Sequence, residues 1–346
     1  MIATTSTASQ INLADVNATP VWQQLASDAV TDPAELLELL GLDSALLPDA
    51  QAAARTFGLR VPRGFIARMR HGDPLDPLLL QVLPLQQELN KNREFSKDPV
   101  GDLASRTAPG VLHKYRGRAL LIATGACAVH CRYCFRRHFP YSEDTASADR
   151  WRAALTYVRD DTSIEEVILS GGDPLNLSDR RLEELTEELE RIPHVRRLRI
   201  HTRTAVVLPE RIDSHFCRWL SGVRLQKIVV LHVNHAQEVD SRVRAMCSQL
   251  KACEATLLNQ SVLLAGVNDS IQALSQLSET LFAAGVLPYY LSLLDRVEGA
   301  AHFEVSEALG RKLVQALTTR LPGYLVPKLV REVMGAEAKT SVSLSV

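Results

Sequence analysis

The chain has 346 residues, of which 46% are hydrophobic, and its 39 basic and 40 acidic side chains leave a net charge of −1. This length and apolar content are enough for one large α/β domain with an appendage, or for two domains. The balanced charge predicts no nucleic-acid-binding face, and no apolar run is long enough to cross a membrane. The polar N-terminus lacks the basic-then-apolar order of a signal peptide, so the sequence predicts a cytoplasmic protein.

The stretch from about Val21 to Leu89 is predicted to be helical. Asp32 and Pro33 begin one apolar-periodic run, and Asp76 and Pro77 begin a second that covers 77–89 and is interrupted by Pro84. The polar residues that follow, up to Val111, are predicted to form a linker or a lid. We therefore predict an N-terminal helical region with its linker at 1–110.

Further along the chain, short aliphatic runs alternate with amphipathic stretches, of which 178–192 is the clearest. After the first run, the predicted strands recur about every thirty residues, which is the length of one β-loop-α unit. Six such units in series predict a parallel sheet, either open or curled into a partial barrel. We assign this core to 111–305 and a C-terminal segment to 306–346. The predicted strands are 118–124, 165–171, 196–202, 227–233, 256–264 and 287–294.

Three cysteines, Cys127, Cys131 and Cys134, follow the first predicted strand. Iron–sulfur clusters are normally held by four thiolates, so three in one loop leave one iron open for a small molecule. The loop stands at the C-terminal end of a strand, where parallel α/β folds place their active sites. The alternative is a structural zinc site with His130 or His138 as fourth ligand. The spacing is unusual for zinc, and a second ligand pair is absent downstream, so the cluster is favoured.

A glycine-rich turn, Gly171-Gly172-Asp173, follows the second predicted strand. Glycine lets a backbone approach a ligand closely, and Asp173 adds a charge. Gly-Gly-Asp-Pro is also an ordinary turn sequence, so only the position after strand two indicates a binding role.

The C-x3-C-x2-C spacing, with Tyr133 before the last cysteine, resembles the signature of radical S-adenosylmethionine (SAM) enzymes. This resemblance implies a partial (β/α)6 barrel and a [4Fe-4S] cluster whose open iron binds SAM. It also implies an electron donor of the flavodoxin or ferredoxin type, because one electron cleaves SAM to a 5′-deoxyadenosyl radical. The superfamily binds the SAM amino group after strand two, which implies that Gly171, Gly172 and Asp173 bind SAM.

A longer resemblance, from about Val61 to Val342, is to the lysine 2,3-aminomutase family. It implies a second cofactor, pyridoxal 5′-phosphate (PLP), attached to Lys339. The family's usual glycine run before this lysine is replaced here by GAEA at 335–338. The matching segments are 113–122, 131–139, 170–175, 201–212, 232–239, 259–269, 289–303 and 323–340.

The same resemblance implies ligands for the PLP phosphate, namely Lys114, Arg118 and Gln260, which supply cationic and polar donors. The alternative for the two basic residues is an exposed basic loop.

The resemblance also implies that the substrate is held at both ends. Arg136 matches the arginine that pairs with the substrate carboxylate, for which a planar guanidinium is well suited. Asp295 matches a carboxylate that binds the distal ammonium, and Glu332 stands where the family has a second aspartate. Two carboxylates favour lysine over glutamate as substrate. The alternative for both acids is surface salt bridging.

Residues 22–42 and the short stretch after Lys339 resemble the bacterial branch that serves elongation factor P. In that branch a separate ligase joins β-lysine to the factor. The predicted protein is therefore an isomerase that converts L-α-lysine to β-lysine, and the resemblance suggests a homodimer. Three alternatives stay open: another type of radical SAM enzyme, a glutamate 2,3-aminomutase, and a non-catalytic zinc protein.

Overall fold

The structure is a computed structural model that describes residues 19–141 and 148–344. The first 18 residues of the predicted N-terminal region and the last two of the C-terminal segment lie outside the described residues. Within the described ranges ten strands form one sheet, and their spatial order is the order of the chain. The strands are β1 (Arg106–Ala108), β2 (Val111–Tyr115), β3 (Arg118–Thr124), β4 (Glu166–Gly171), β5 (Arg197–Thr202), β6 (Gln226–Leu231), β7 (Thr256–Val262), β8 (Leu287–Ser292), β9 (Lys328–Arg331) and β10 (Thr340–Ser341).

The centre of the sheet is parallel, as the sequence predicts. Seven consecutive strands, β3 to β9, run parallel to one another. Antiparallel pairs add β1 and β2 at one edge and β10 at the other. All six predicted strands are present as β3 to β8, with ends that differ from the prediction by no more than two residues. The seventh, β9, was not predicted because four residues are too few for a recognisable pattern, and only its pairing with β8 identifies it.

Helices alternate with the parallel strands and cover one face of the sheet. In α6, Leu182, Leu185 and Leu189 are buried at helical spacing, and they share a core with Leu198 of β5. In the described ranges no helix combines the length and the apolar character needed to cross a lipid bilayer. The helices are α1 (Val21–Ser27), α2 (Pro33–Leu39), α3 (Leu47–Ala54), α4 (Arg63–Ile66), α5 (Ala148–Asp160), α6 (Asp179–Glu190), α7 (Thr204–Val207), α8 (Ser214–Gly222), α9 (Ser241–Ala252), α10 (Ile271–Ala283) and α11 (Glu307–Arg320).

The sheet curls into a partial barrel. Successive side chains of β5 point to opposite faces, so that Leu198 packs in the core whereas Arg199 and His201 line an internal cavity. Side chains from β2, β3, β4, β6, β7 and β8 line the same cavity. On the remaining side, Lys114 of β2 lies 3.9 Å from Glu332, which follows β9. The partial barrel implied by the resemblance is therefore confirmed, with one parallel strand more than the six predicted.

The N-terminal region packs against the cysteine loop (127–134). Buried side chains of α1 to α4 and of 78–83 share one hydrophobic cluster with Ala128 and Val129. Helix α2 begins as predicted, because the Asp32 side chain accepts a hydrogen bond from a backbone N–H in the first turn. This region thus forms a support on which the loop rests.

The predicted second helix, at 77–89, is wrong. The chain forms turns here, followed by a 3-10 helix at Gln86–Leu89. Asp76 accepts hydrogen bonds from the backbone N–H groups of Leu78 and Leu79, which turns the chain locally. Pro84 cannot donate the backbone hydrogen bond that a continuous helix requires. The leucines of this run are buried by turns and not along one helical face.

Candidate active site

The cysteine loop is fixed to the N-terminal region by backbone hydrogen bonds. The N–H of His130 donates to the carbonyl of Arg60 at 2.9 Å, and the N–H of Arg132 donates to the carbonyl of Gln81 at 2.9 Å. The loop leaves β3 directly, so its first cysteine lies at the C-terminal end of a parallel strand, as predicted. Strand and support together fix where the thiols can lie.

Two arginines next to the cysteines share one buried carboxylate. Arg132 donates to both oxygens of Glu88 at 2.7 and 2.6 Å, and Arg137 donates to the same residue at 2.7 Å. Both guanidinium groups lie over the ring of Phe57, at 4.9 and 4.5 Å from its centroid. Because the Glu88 side chain has no exposed surface, removing this carboxylate would leave two arginines without their partner.

The three thiols of the loop influence one another. Burial raises the pKa of Cys127, and the neighbouring Asp173 and Cys134 raise it further. Burial and Cys131 raise the pKa of Cys134 to about 11. The thiols are therefore protonated on their own, and iron must displace the protons when it binds. The other cysteines lie in or against the core between sheet and helices: Cys217, Cys247 and Cys253.

No three His, Cys, Asp or Glu side chains in residues 19–141 and 148–344 surround a position for a single metal ion. In a four-iron cluster each cysteine binds a different iron, so the thiolates do not share one ion. The donor set, three thiols on one supported loop, fits such a cluster with one iron left open.

The glycine turn packs against the chain that leads into the cysteine loop. The N–H of Gly172 donates to the carbonyl of Thr124 at 2.7 Å, and the N–H of Asp173 donates to the carbonyl of Ala126 at 2.8 Å. A Cβ atom on Gly172 would lie 2.5 Å from the Ala126 oxygen. The turn and the cysteine loop can approach this closely only because residue 172 has no side chain.

The carboxylate of Asp173 is already bonded within the protein. It accepts hydrogen bonds from the Thr202 hydroxyl and from the backbone N–H groups of Leu175, Arg203 and Thr204. Its side chain therefore joins the end of β4 to the end of β5. The carboxylate of Asp173, one of the three residues expected to contact SAM, is therefore occupied by hydrogen bonds within the protein.

One cavity of about 360 Å³ occupies the inside of the barrel. This volume lies in the range of small-molecule sites. The cavity brings together seven residues that the sequence nominated, from both ends of the chain: Lys114, Arg118, Arg136, Gln260, Asp295, Glu332 and Lys339. It also contains residues that the sequence did not single out: Asp102, Tyr115, Arg199, His201, His232 and Tyr290.

Asp102 joins two of the nominated cations. One carboxylate oxygen lies 2.6 Å from the Lys114 ammonium, and the other accepts from Nε of Arg136 at 2.7 Å. Burial opposes ionisation of Asp102, but Arg136 and Lys114 outweigh burial and lower its pKa. This acid lies in the stretch predicted to be a linker or lid, and no pattern there marks it as a site residue.

Glu332 contacts the lysine expected to carry PLP. Its carboxylate lies 3.2 Å from Nζ of Lys339 and accepts a hydrogen bond from the Tyr115 hydroxyl. Burial and Glu332 together raise the pKa of Tyr115 above its ordinary value. The sequence placed Glu332 at the substrate ammonium, and the structure puts it beside Lys339.

Asp295 follows β8 and lies in the same cavity. Burial raises its pKa to about 6, Lys339 lowers it and Glu332 raises it. Keeping this carboxylate ionised therefore costs free energy, and a cationic ligand would recover part of that cost.

Two histidines form a neutral pair on the wall of the cavity. Nε2 of His232 lies 3.4 Å from Nδ1 of His201, with the rings edge to face. Burial lowers the pKa of both, and for His232 the value is about 3. The sequence did contain a signal for His201: in RLRIHT (197–202) the polar residues alternate with aliphatic ones, which indicates a polar inner face.

Comparison with known proteins identifies the family. The Radical SAM superfamily model matches residues 121–238. L-lysine 2,3-aminomutase of Escherichia coli (strain K12) is 49% identical over 324 residues, which cover 93% of this chain and 94% of that protein. The chain belongs to the lysine 2,3-aminomutase family. The protein of the same name from Haemophilus influenzae is 47% identical over 92% of this chain and 94% of its own, and that from Clostridium subterminale is 32% identical over 93% and 77%.

As a member of the lysine 2,3-aminomutase family, the chain is a radical SAM isomerase. Its cofactors are a [4Fe-4S] cluster, SAM and PLP, which decides between the cluster and the zinc alternative. The cavity fits PLP, because a lysine amine, the cations Lys114 and Arg118 and the Gln260 amide all line it.

Proposed function

We propose that this protein converts L-α-lysine to β-lysine by moving the amino group from C2 to C3. The observation that carries the proposal is the placement of charge around one cavity. Arg136 offers a guanidinium for a carboxylate, Asp295 offers a carboxylate for an ammonium, and Lys339 provides the amine for PLP. Lysine carries both of the complementary groups.

We assign the two ends of the substrate to two residues. Nε of Arg136 is engaged by Asp102 and Nη1 by Ser170, so Nη2 and the second proton of Nη1 are available for a carboxylate. Asp295 receives the distal ammonium, since burial makes its unpaired charge costly. A substrate held at both ends presents C2 and C3 at a fixed place in the cavity, which is how binding energy assists the reaction.

Lys339 holds PLP in the resting enzyme, and Lys114, Arg118 and Gln260 bind its phosphate. Bound PLP supplies an electron-accepting ring that stabilises the radical during the shift of nitrogen. Glu332, whose carboxylate lies 3.2 Å from Nζ of Lys339, would orient that amine and hold a proton beside it. The neutral pair of His201 and His232 adds no positive charge next to the cations that bind anions.

SAM would be held by the open iron of the cluster and by the glycine turn. Cys127, Cys131 and Cys134 hold the cluster, and the backbone of Gly171 and Gly172 lies beside the strand that leads to these cysteines. Asp173 assists by fixing the turn, because its carboxylate is bonded to the backbone at the end of β5. A donor of the flavodoxin or ferredoxin type supplies the electron.

Glutamate is a poorer fit than lysine. Its distal carboxylate would face Asp295 and Glu332, and like charges at short distance in a buried site repel strongly. The charge of the cavity thus favours lysine at the end away from Arg136.

We further propose that a separate ligase joins the β-lysine to elongation factor P, that the enzyme is cytoplasmic, and that it is a homodimer. The resemblance of residues 22–42 to that branch supports the role in modifying elongation factor P.

Anaerobic turnover tests the proposal. The protein is supplied with SAM, PLP and a reductant, and lysine, glutamate and arginine are offered separately, with chiral analysis of the products. We expect β-lysine from lysine and no product from the other two. Lys339→Ala should abolish turnover and PLP absorbance, whereas Lys312→Ala, an exposed lysine on α11, should retain both. Full activity of Lys339→Ala, or a preference for glutamate, would overturn the proposal.

A further inference from the structure

Asp102 contacts two cations of the cavity: Arg136, which is assigned to the substrate carboxylate, and Lys114, which is assigned to the PLP phosphate. Among the residues that the structure describes, no other acid of the cavity contacts both. Its side chain is only 3% exposed, and each carboxylate oxygen faces a different cation. This arrangement connects two subsites that bind different molecules.

The backbone holds Asp102 in a fixed orientation. Its N–H and that of Leu103 donate to the side chain of Asp98, at 2.8 and 3.0 Å. The preceding Gly101 has a φ of 67°, and the Met334 side chain packs directly against it. The carboxylate is therefore presented by a rigid turn that also contacts the segment leading to Lys339.

Each cation keeps free donors that can reach a ligand. A guanidinium has five N–H groups, and Arg136 uses one on Asp102 and one on Ser170. An ammonium has three, and Lys114 donates one to the carbonyl of Val100 while it forms an ion pair with Asp102. Asp102 thus engages these cations without consuming the N–H groups that an incoming anion needs.

We propose that Asp102 is a positioning residue shared by the two subsites, which holds Arg136 toward the substrate carboxylate and Lys114 toward the PLP phosphate. The inference rests on the proposed function and extends it with a coupling. Two cations next to each other in a buried site repel, and the carboxylate between them removes that repulsion. A change in either cation is therefore transmitted through Asp102 to the other subsite.

Asp102→Asn provides the direct test. An amide can accept from only one of the two cations, and its NH₂ group faces the other. We expect the dissociation constant for PLP and the KM for lysine each to rise about tenfold or more, with a smaller change in kcat. PLP binding is measured by absorbance titration without SAM or reductant. Glu94→Gln is the control, because this acid of the same segment pairs with Arg296 at the surface.

Two further variants test the coupling without changing Asp102 itself. Lys114→Gln should raise the KM for lysine at saturating PLP, and Arg136→Gln should raise the dissociation constant for PLP in the absence of lysine. These measurements decide the matter if Asp102→Asn does not fold or does not retain iron. An effect confined to the altered cation's own ligand would overturn the shared role.

Tighter binding of both ligands by Asp102→Asn would show that Asp102 competes with ligand anions, and would overturn the proposal. A change in only the dissociation constant for PLP, or in only the KM for lysine, would also overturn the proposal. Failure of the proposed function has a different signature, because the wild-type protein would then not turn over lysine. The PLP constants of Asp102→Asn and Arg136→Gln need no turnover and test the inference in either case.

Discussion

Asp295→Asn should stabilise the protein while it weakens lysine binding. Burial raises the pKa of this carboxyl from 3.8 to about 6 in the folded chain. At about 1.36 kcal/mol per pKa unit, the ionised carboxylate costs about 3 kcal/mol of folding free energy above pH 6. Asparagine has a similar shape and no charge, so it removes up to that cost.

The sign and the pH range follow from the raised pKa. An acid whose pKa is higher in the folded state contributes stability at low pH and loses it as pH rises through the folded value. The gain from Asp295→Asn should therefore be about 3 kcal/mol at pH 8 and about half of that at pH 5. For a chain of this length, 3 kcal/mol corresponds to a rise of about 4 °C in Tm.

Anaerobic thermal unfolding at pH 8 and pH 5 measures this difference. Glu187→Gln removes a carboxylate whose side chain is 59% exposed, and serves as the control with no expected change. In turnover assays the KM for lysine should rise about ten- to hundredfold in Asp295→Asn, because a charge-assisted contact to the ammonium is lost. A variant that is no more stable than the wild type at pH 8, or whose gain grows toward pH 5, would refute the reasoning.

Three further predictions follow from the geometry. The kcat/KM for lysine should fall about tenfold per pH unit below the Asp295 pKa of about 6, since a protonated carboxyl cannot pair with an ammonium. A flat profile between pH 5 and pH 7 would contradict the role of Asp295 in binding the substrate ammonium. Gly172→Ala should lose at least half of the iron bound after reconstitution, because its Cβ would lie 2.5 Å from the Ala126 oxygen. The control Gly222→Ala, whose Cβ would have no neighbour within 4 Å, should bind iron normally. Glu88→Gln should lower the free energy of unfolding by about 3–5 kcal/mol, since Arg132 and Arg137 lose a buried partner; an unchanged denaturation midpoint would show that neither arginine depends on Glu88.

Local patterns in the sequence were sufficient to predict six of the seven parallel strands. The six strands at β3 to β8 are long enough to show aliphatic character, and their spacing reveals the repeating unit. The cysteine loop and the glycine turn were found for the same reason, because each is a short contiguous motif next to a strand. The predicted helix at 77–89 shows where this reasoning fails. The spacing of its apolar residues resembles that of a helix, but the chain buries them by forming turns.

The site residues that are far apart in the chain were identified from the resemblance to the lysine 2,3-aminomutase family. Lys339 would by itself be an ordinary lysine near a chain end, and the structure places it in the cavity with Arg118 and Gln260. The curling of the sheet decides which side chains of the cavity contact one another. Glu332 lies against Lys339 and Tyr115 because the curling of the sheet brings β2 close to the chain after β9.

The sequence by itself thus determined the fold class, the cluster-binding loop and the chemistry of the nominated side chains, because these depend on residue type and short spacing. Only the tertiary structure decided the role of Asp102, which lies in a segment without regular pattern and contacts Lys114 and Arg136 from outside the strands that carry the motifs. Contacts between distant segments depend on how the chain packs, and neither periodicity nor spacing records them.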